Sequence, residues 1–355
     1  MKLTIADGTL IGKHMYFSNV SSNGLFRISV ETHEIEFLGF FPGERVEAGF
    51  LHKRCFNYGD KIIFLPAYSK FIAVFDISSG EFFNIPLKKT IEGESILDAV
   101  QVGAVAYIFP RNNKCVPLKL DMETMEITDV PGFDTWVDQY VSQDNPEKLF
   151  RAAYKDGCIY FAPCEADFIT EWNIIKNTFQ TFEIGMEKII NILPIGNTCF
   201  FTLREQYGIG KLNIDDGSVV FEECKENNHN DVNLYGTIFP IENGVGAAPA
   251  FGEYIHCFDN SGCFYEYQME EDIKDVYKFY RSVSVGSDIW LLPLVMSEIY
   301  ILKRENIYKI KLTVDNQIQR IFKNALLKER VNDDQMIFEN NEFSLCNYVE
   351  FIAGE

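Results

Sequence analysis

Three features of the sequence predict an all-β fold: a seven-bladed β-propeller of four-stranded antiparallel blades, with a short C-terminal helical extension. First, apolar strand-length runs recur. Aligned on the end of the second run in each unit they stop at Ser18, Pro66, Pro110, Pro163, Thr202, Pro249 and Pro293, in steps of 39 to 53 residues, the period of a propeller blade. Second, the runs are punctuated by turn chemistry such as Ser78-Ser79-Gly80 and Asp216-Gly217, where glycine supplies the left-handed backbone that a tight hairpin needs. Third, 31 Phe and 17 Tyr in 355 residues are bulky side chains that suit a pleated, half-buried surface.

The second unit is the template. It runs through Lys61–Pro66 and Phe71–Asp76, turns at Ser78-Ser79-Gly80 and closes with Glu81–Pro86. The first unit repeats this with Lys13–Phe17, Leu25–Val30 and Glu34–Leu38, and the third with Val105–Pro110, Val116–Asp121 and Met125–Thr128. A long polar connection, 132–148, then carries Trp136. The fourth unit has Cys158–Pro163, Ile169–Asn173 and Thr178–Phe182, the last with clear period-two alternation. Cys199–Thr202 and Gly210–Ile214 belong to the fifth, Gly244–Pro249 and Tyr254–Phe258 to the sixth, and Ile289–Pro293, Ile299–Leu302 and Ile307–Lys311 to the seventh. The propeller is assigned to residues 1–322, with blades over 1–42, 43–88, 89–132, 147–185, 186–224, 232–270 and 275–322. Residues 323–355 leave the pattern. There Ala325–Arg330 reads as a helical turn, and Ser344 as the N-cap of an amphipathic helix over Leu345–Ile352 that packs on the propeller.

A formal charge of -20 and a pI near 4.7 repel phosphate backbones and anionic lipid, so neither nucleic acid nor membrane is an expected partner. The N-terminus lacks the apolar run of a signal peptide, and no stretch reaches the length of a membrane span; a cytoplasmic protein is expected. The nine cysteines, Cys55, Cys115, Cys158, Cys164, Cys199, Cys224, Cys257, Cys263 and Cys346, are odd in number and contain no C-x-x-C pair, which reads as reduced core thiols. The histidines His14, His33, His52, His229 and His256 occupy different blade positions. No metal and no cofactor are therefore expected. Nucleophile-elbow, zinc-protease, phosphate-loop and dinucleotide-binding motifs are all absent.

Asp76, Asp121, Asn173, Asn213 and Asp259, each at the hairpin after the third strand of its unit, together with the strand order, resemble the kelch-type β-propellers over residues 1–322. The repeats are degenerate: where kelch repeats carry a glycine pair after the second strand, this chain mostly has a single Pro. The resemblance implies the fold, with the first strand of each unit innermost, and leaves function to the site.

In that topology the loops joining second to third strands and those joining successive units share one face, which is the expected binding surface. Tyr68, Arg111, Glu165, Arg204, Glu253 and Glu298 fall in the first loop set and Trp136 in the second. Twelve residues before the strand-end markers stand Arg54, Arg151 and Arg281, with Asp98 at the same place in the third unit. Equivalent positions in a ring converge, so three guanidinium groups are expected at the mouth of the central channel. Their planar forks suit carboxylate or phosphate. The reading is a non-catalytic binding or interaction module for an anionic or carbohydrate ligand or a protein partner, with Tyr68, Arg111, Glu165 and Arg204 as rim. The alternative is a carbohydrate-active hydrolase or lyase, using facing carboxylates drawn from Asp98, Asp138, Asp144, Glu165 and Glu253.

Overall fold

The computed structural model describes residues 1–87, 96–110, 117–140, 150–163, 166–225, 233–259, 261–270, 276–304 and 306–339. Seven four-stranded antiparallel sheets, each a simple meander from one continuous stretch, occupy residues 5–39, 52–86, 96–129, 150–183, 189–225, 235–268 and 279–311. Their first strands, Ile5–Ile11, His52–Tyr58, Ile96–Val102, Phe150–Lys155, Ile189–Ile195, Tyr235–Ile241 and Phe279–Val285, neighbour one another in order around a ring, and the first lies beside the last. This is a seven-bladed propeller.

Burial along each blade follows from that arrangement. Second strands such as Lys61–Pro66 and Cys158–Pro163 are buried on both faces after their first residue, because a neighbouring blade covers each side. Outer strands such as Glu81–Pro86 and Thr178–Glu183 are half-exposed. The apolar core is therefore divided into layers between adjacent blades. One layer joins Ile63, Leu65 and Val74 of the second blade to Ile96, Ala106 and Leu120 of the third. At Gly236 the inner strands of blades six and seven approach so closely that a Cβ would lie 1.8 Å from the Phe279 carbonyl oxygen, so only glycine fits there.

The hairpins after the third strands share one device. Asp76 Oδ1 accepts the N–H groups of Ser78 and Ser79 at 3.0 and 3.1 Å, and Asp121, Asn173, Asn213 and Asp259 accept in the same way from residues two or three further on. These are side-chain-locked turns. In the first blade, Ser29 Oγ takes the N–H groups of Glu31 and Thr32.

One helix was not expected from the sequence, and the expected C-terminal helix begins earlier than assigned. Helix α1, Phe133–Tyr140, lies in the connection expected to be a loop. Trp136 on it is 2 % exposed, packed against Phe133, Phe161 and Phe179. Helix α2, Asn316–Glu339, begins inside the stretch assigned to the seventh blade, because Asp315 Oδ1 accepts the Ile318 N–H at 2.8 Å as an N-cap. It contains the expected turn 325–330; the helix expected over 345–352 lies outside the described residues. No helix among them is long and apolar enough to cross a membrane.

Among the described residues no strand is exchanged between blades one and seven, each of which is built from its own segment. Closure rests on side chains: Leu3, Ile5 and Phe26 meet Trp290, Leu292 and Ile310 across the seam, and α2 adds Ile318 and Phe322 to the same layer.

Candidate functional site

In six of the seven inner strands the ladder to the second strand slips near the strand start; Phe150–Lys155 alone keeps register. Such a slip bends a strand and re-aims its side chains. Just inside it stand Arg54 opposite Leu65, Asp98 opposite Phe109, Asn191 opposite Thr202, Thr237 opposite Ala248 and Arg281 opposite Leu292. Arg151 faces Ala162 in the fourth blade, and Asp7 lies within the slipped stretch of the first. The mouth of the channel is thereby lined, in ring order, by Asp7, Arg54, Asp98, Arg151, Asn191, Thr237 and Arg281.

Asp98 is the hub. Its side chain is 1 % exposed; Oδ1 meets Arg54 Nε at 3.2 Å and Arg281 Nη2, and also accepts the Ala99 N–H at 2.9 Å. Oδ2 accepts the Ala152 N–H at 3.2 Å. Arg281 belongs to the seventh blade and Asp98 to the third, so this pair spans the channel. Burial opposes the charge on Asp98, but Arg281, Arg54 and Arg151 outweigh it and hold the carboxyl well below the usual carboxylate range. Arg54 and Arg281, from different blades, thus converge on one carboxylate, and Arg151 acts on it through space.

Their remaining donors differ. Arg54 is committed to the scaffold: Nη1 bonds Asp7 Oδ2 at 3.1 Å, and Nε and Nη2 reach the Ala99 carbonyl at 3.2 and 2.9 Å. Asp7 Oδ2 also accepts the Cys55 N–H at 3.1 Å. By contrast, Arg151 Nη1 and Arg281 Nε are buried with no hydrogen-bond partner among the described residues, a costly state for a charged donor.

Tyr280, the extra residue at the slip in the seventh blade, lies among these groups. The Arg151 guanidinium stands 4.8 Å from its ring centroid, Lys53 Nζ 5.5 Å and the Arg281 guanidinium 5.7 Å, in cation–π range. Burial pushes its phenol up, but Arg151, Lys53 and Arg281 prevail and bring it down to about 8. Neighbouring Tyr277 goes the other way, raised by burial to about 12 against the pull of Arg151. Following phenolate absorbance against pH should reveal one tyrosine ionising near pH 8, a phase absent from Tyr280→Phe. A folded-state pKa below the unfolded value of about 10 contributes stability that is present above pH 10 and lost as pH falls through about 8. The native protein should accordingly gain on the variant as pH rises from 8 to 10, and a flat difference would contradict the assignment.

Of the residues expected from sequence, Arg54, Asp98, Arg151 and Arg281 come together. Tyr68, 67 % exposed, stands on the turn after the second strand of blade two, edge-on to Phe50. Arg204 holds the equivalent turn in blade five, where its N–H bonds the Lys188 carbonyl and its carbonyl accepts the Leu234 N–H. Trp136 is a core residue and presents no surface to a ligand. Arg111 and Glu165 lie outside the described residues. For the hydrolase alternative, Asp98 is locked as an anion by arginines, which removes it as a general acid; Asp144 and the side chain of Asp138 also fall outside what is described. Asp7, Lys53, Asn191, Thr237, Tyr277 and Tyr280 were not anticipated. Thr237 stands twelve residues before the marker Pro249, and Asp7 and Asn191 are reached by the same count once the second strands are ended at Asn19 and Leu203.

No protein-family model matches the sequence, and no curated protein does. Solved structures match in fold. The chain is similar to virginiamycin B lyase from Staphylococcus aureus, with 14% identity, 74% of this chain and 84% of that one covered, and a TM-score of 0.53. It is also similar to YCF48 from Cyanidioschyzon merolae, with 11% identity, 87% and 95% covered and a TM-score of 0.60. A third likeness is to the extracellular domain of a hybrid two-component system from B. thetaiotaomicron, with 11% identity, 82% and 37% covered and a TM-score of 0.59. At these identities the likeness is one of fold, and the fold is a β-propeller.

Proposed function

We propose that the protein is a binding module whose channel mouth takes an anionic group, a carboxylate or phosphate on a small molecule or an acidic side chain of a partner protein. One observation carries this reading. Among the described residues Lys53, Arg54, Arg151 and Arg281 face two carboxylates, Asp7 and Asp98, and two of their buried N–H groups have no acceptor there. An anion there neutralises the excess charge and supplies the missing acceptors, and Arg151 and Arg281 offer forked donors to it. Tyr68 and Arg204 form its rim. The repeated side-chain-locked hairpins support placing the fold with the kelch-type propellers.

Titration with inorganic phosphate and with succinate, using glucose as the neutral control, tests the reading by calorimetry and by thermal shift. Ligand at 100 times its dissociation constant stabilises the folded state by about 2.7 kcal/mol, so both anions should raise the melting temperature and glucose should not. Arg151→Gln removes a charged donor worth about 1.5–3 kcal/mol, weakening binding roughly 10- to 100-fold. Ionisation of Tyr280 places a phenolate among the same cations, so affinity should hold below pH 8 and fall above it, with Tyr280→Phe insensitive. Equal responses to phosphate and glucose, or an unchanged Arg151→Gln, would overturn the proposal.

A further inference from the structure

At the outer margin of the ring, away from the channel, three potential metal ligands meet between blades five and six. Cys224 comes from the outer strand Val219–Lys225 of blade five, His256 from Tyr254–Asp259 and Cys263 from the outer strand Gly262–Gln268 of blade six. Their ligand atoms all lie within 4.8 Å of one another. A register slip between Cys257 and Phe258 leaves one extra residue on the outer strand and brings Cys263 to this cluster. Glu266, paired across the strands with His256, places Oε2 3.3 Å from His256 Nε2. Two ligands on one tetrahedral zinc, each about 2.1 Å from the metal, stand roughly 3.4 Å apart, so the His–Glu spacing fits a shared ion. The other face of the imidazole is buttressed: Nδ1 is 2.6 Å from Tyr235 Oη, which lies 3.9 Å from Cys224 Sγ. With its proton on Nδ1, donated to Tyr235 Oη, the imidazole carries its lone pair on Nε2, and the tyrosine hydroxyl then points its own proton toward the sulfur, the kind of outer support that orients metal ligands.

We propose that Cys224, His256, Cys263 and Glu266 bind a zinc ion that clasps the outer strands of blades five and six. Two thiolates and an imidazole, with the Glu266 carboxylate beside the imidazole, select zinc over magnesium or calcium, which prefer all-oxygen sites. Adjacent blades meet chiefly through inner strands and packed layers, so the ion ties them where the ring is widest. The ligands, at positions 224, 256, 263 and 266, span two blades and form no short sequence motif, which is why a search for clustered histidines or C-x-x-C pairs passes over them.

The test is zinc and cobalt titration of the full chain, stripped of metal and kept reduced. One equivalent should bind, cobalt giving the thiolate charge-transfer band and visible spectrum of a tetrahedral two-sulfur site, and zinc should raise the melting temperature. Cys263→Ser, at an exposed position, and Cys224→Ser should each abolish the two-sulfur spectrum, and Tyr235→Phe should weaken binding about 10- to 100-fold. Far-UV spectra of the metal-free variants matching the native chain keep loss of binding distinct from loss of fold. No stoichiometric binding by the native chain, or binding unaltered in the serine variants, would overturn the site. So would a reduced chain that ignores zinc but closes a Cys224–Cys263 disulfide in air, seen as a loss of two protons by mass.

Discussion

Asp98→Asn should be among the most destabilising isosteric changes available in this chain, costing about 3–5 kcal/mol, the range found when one partner of a buried ion pair is removed. Arg54 and Arg281 lose the carboxylate they share, and Arg151 loses a counter-charge. The amide cannot substitute, because the Ala99 and Ala152 N–H groups address both carboxylate oxygens, and an Asn Nδ2 in either place sets donor against donor. Denaturant midpoints at neutral pH measure the loss. Asp98 is held below its unfolded pKa, so its contribution is complete above about pH 4 and is lost as pH falls further; the gap between native and variant should close in acid. The same substitution reports on the channel mouth, since removing the internal anion makes an external one more valuable. Phosphate or succinate should stabilise Asp98→Asn more than the native protein. A variant within about 1 kcal/mol of native, below the usual cost of a buried unpaired charge, would mean that the arginines do not depend on this carboxylate.

Much of this arrangement was legible in the sequence, for a physical reason. A proline ends the second strand in five of the seven blades, so the marker is tied to the ladder and counting back from it finds Arg54, Asp98, Arg151, Thr237 and Arg281. Blades one and five lack that proline, an apolar run does not define its own last residue, and the count slipped by one at Ser18 and Thr202. Lys53 and Tyr280 were invisible because they are the extra residues at register slips, and a period-two pattern has no place for them. Trp136 was misread through its polar surroundings, although Phe133 and Trp136 stand three apart, the spacing that puts two side chains on one helix face. The zinc ligands required knowing which outer strands become neighbours, and only the closed ring supplies that.

The seam between blades one and seven carries the second large expectation. Among the described residues no strand is exchanged between blades one and seven, and α2 packs side chains into their seam. Phe322 is buried, its ring 4.8 Å from Phe40, 5.1 Å from Phe37 and 6.1 Å from Phe26. Glu329, further along the helix, accepts the Val46 N–H at 2.9 Å. Phe322→Ala removes a ring from a layer shared by both blades and the helix, a change that costs about 3–5 kcal/mol in a packed core. The loss should appear as a lower melting temperature and, because the seam is the one junction not bridged by continuous chain, as faster hydrogen exchange in Ile5–Ile11 and Phe279–Val285 than in the inner strands of blades three to five. Glu329→Gln, which keeps the shape and an acceptor, should cost under about 1 kcal/mol, since the hydrogen bond it retains is worth about that much in total. If Phe322→Ala slows or leaves unchanged the exchange of both end strands while lowering stability, the helix is packing on the first blade alone and the ring is closed by Leu3, Ile5, Trp290 and Leu292 without it.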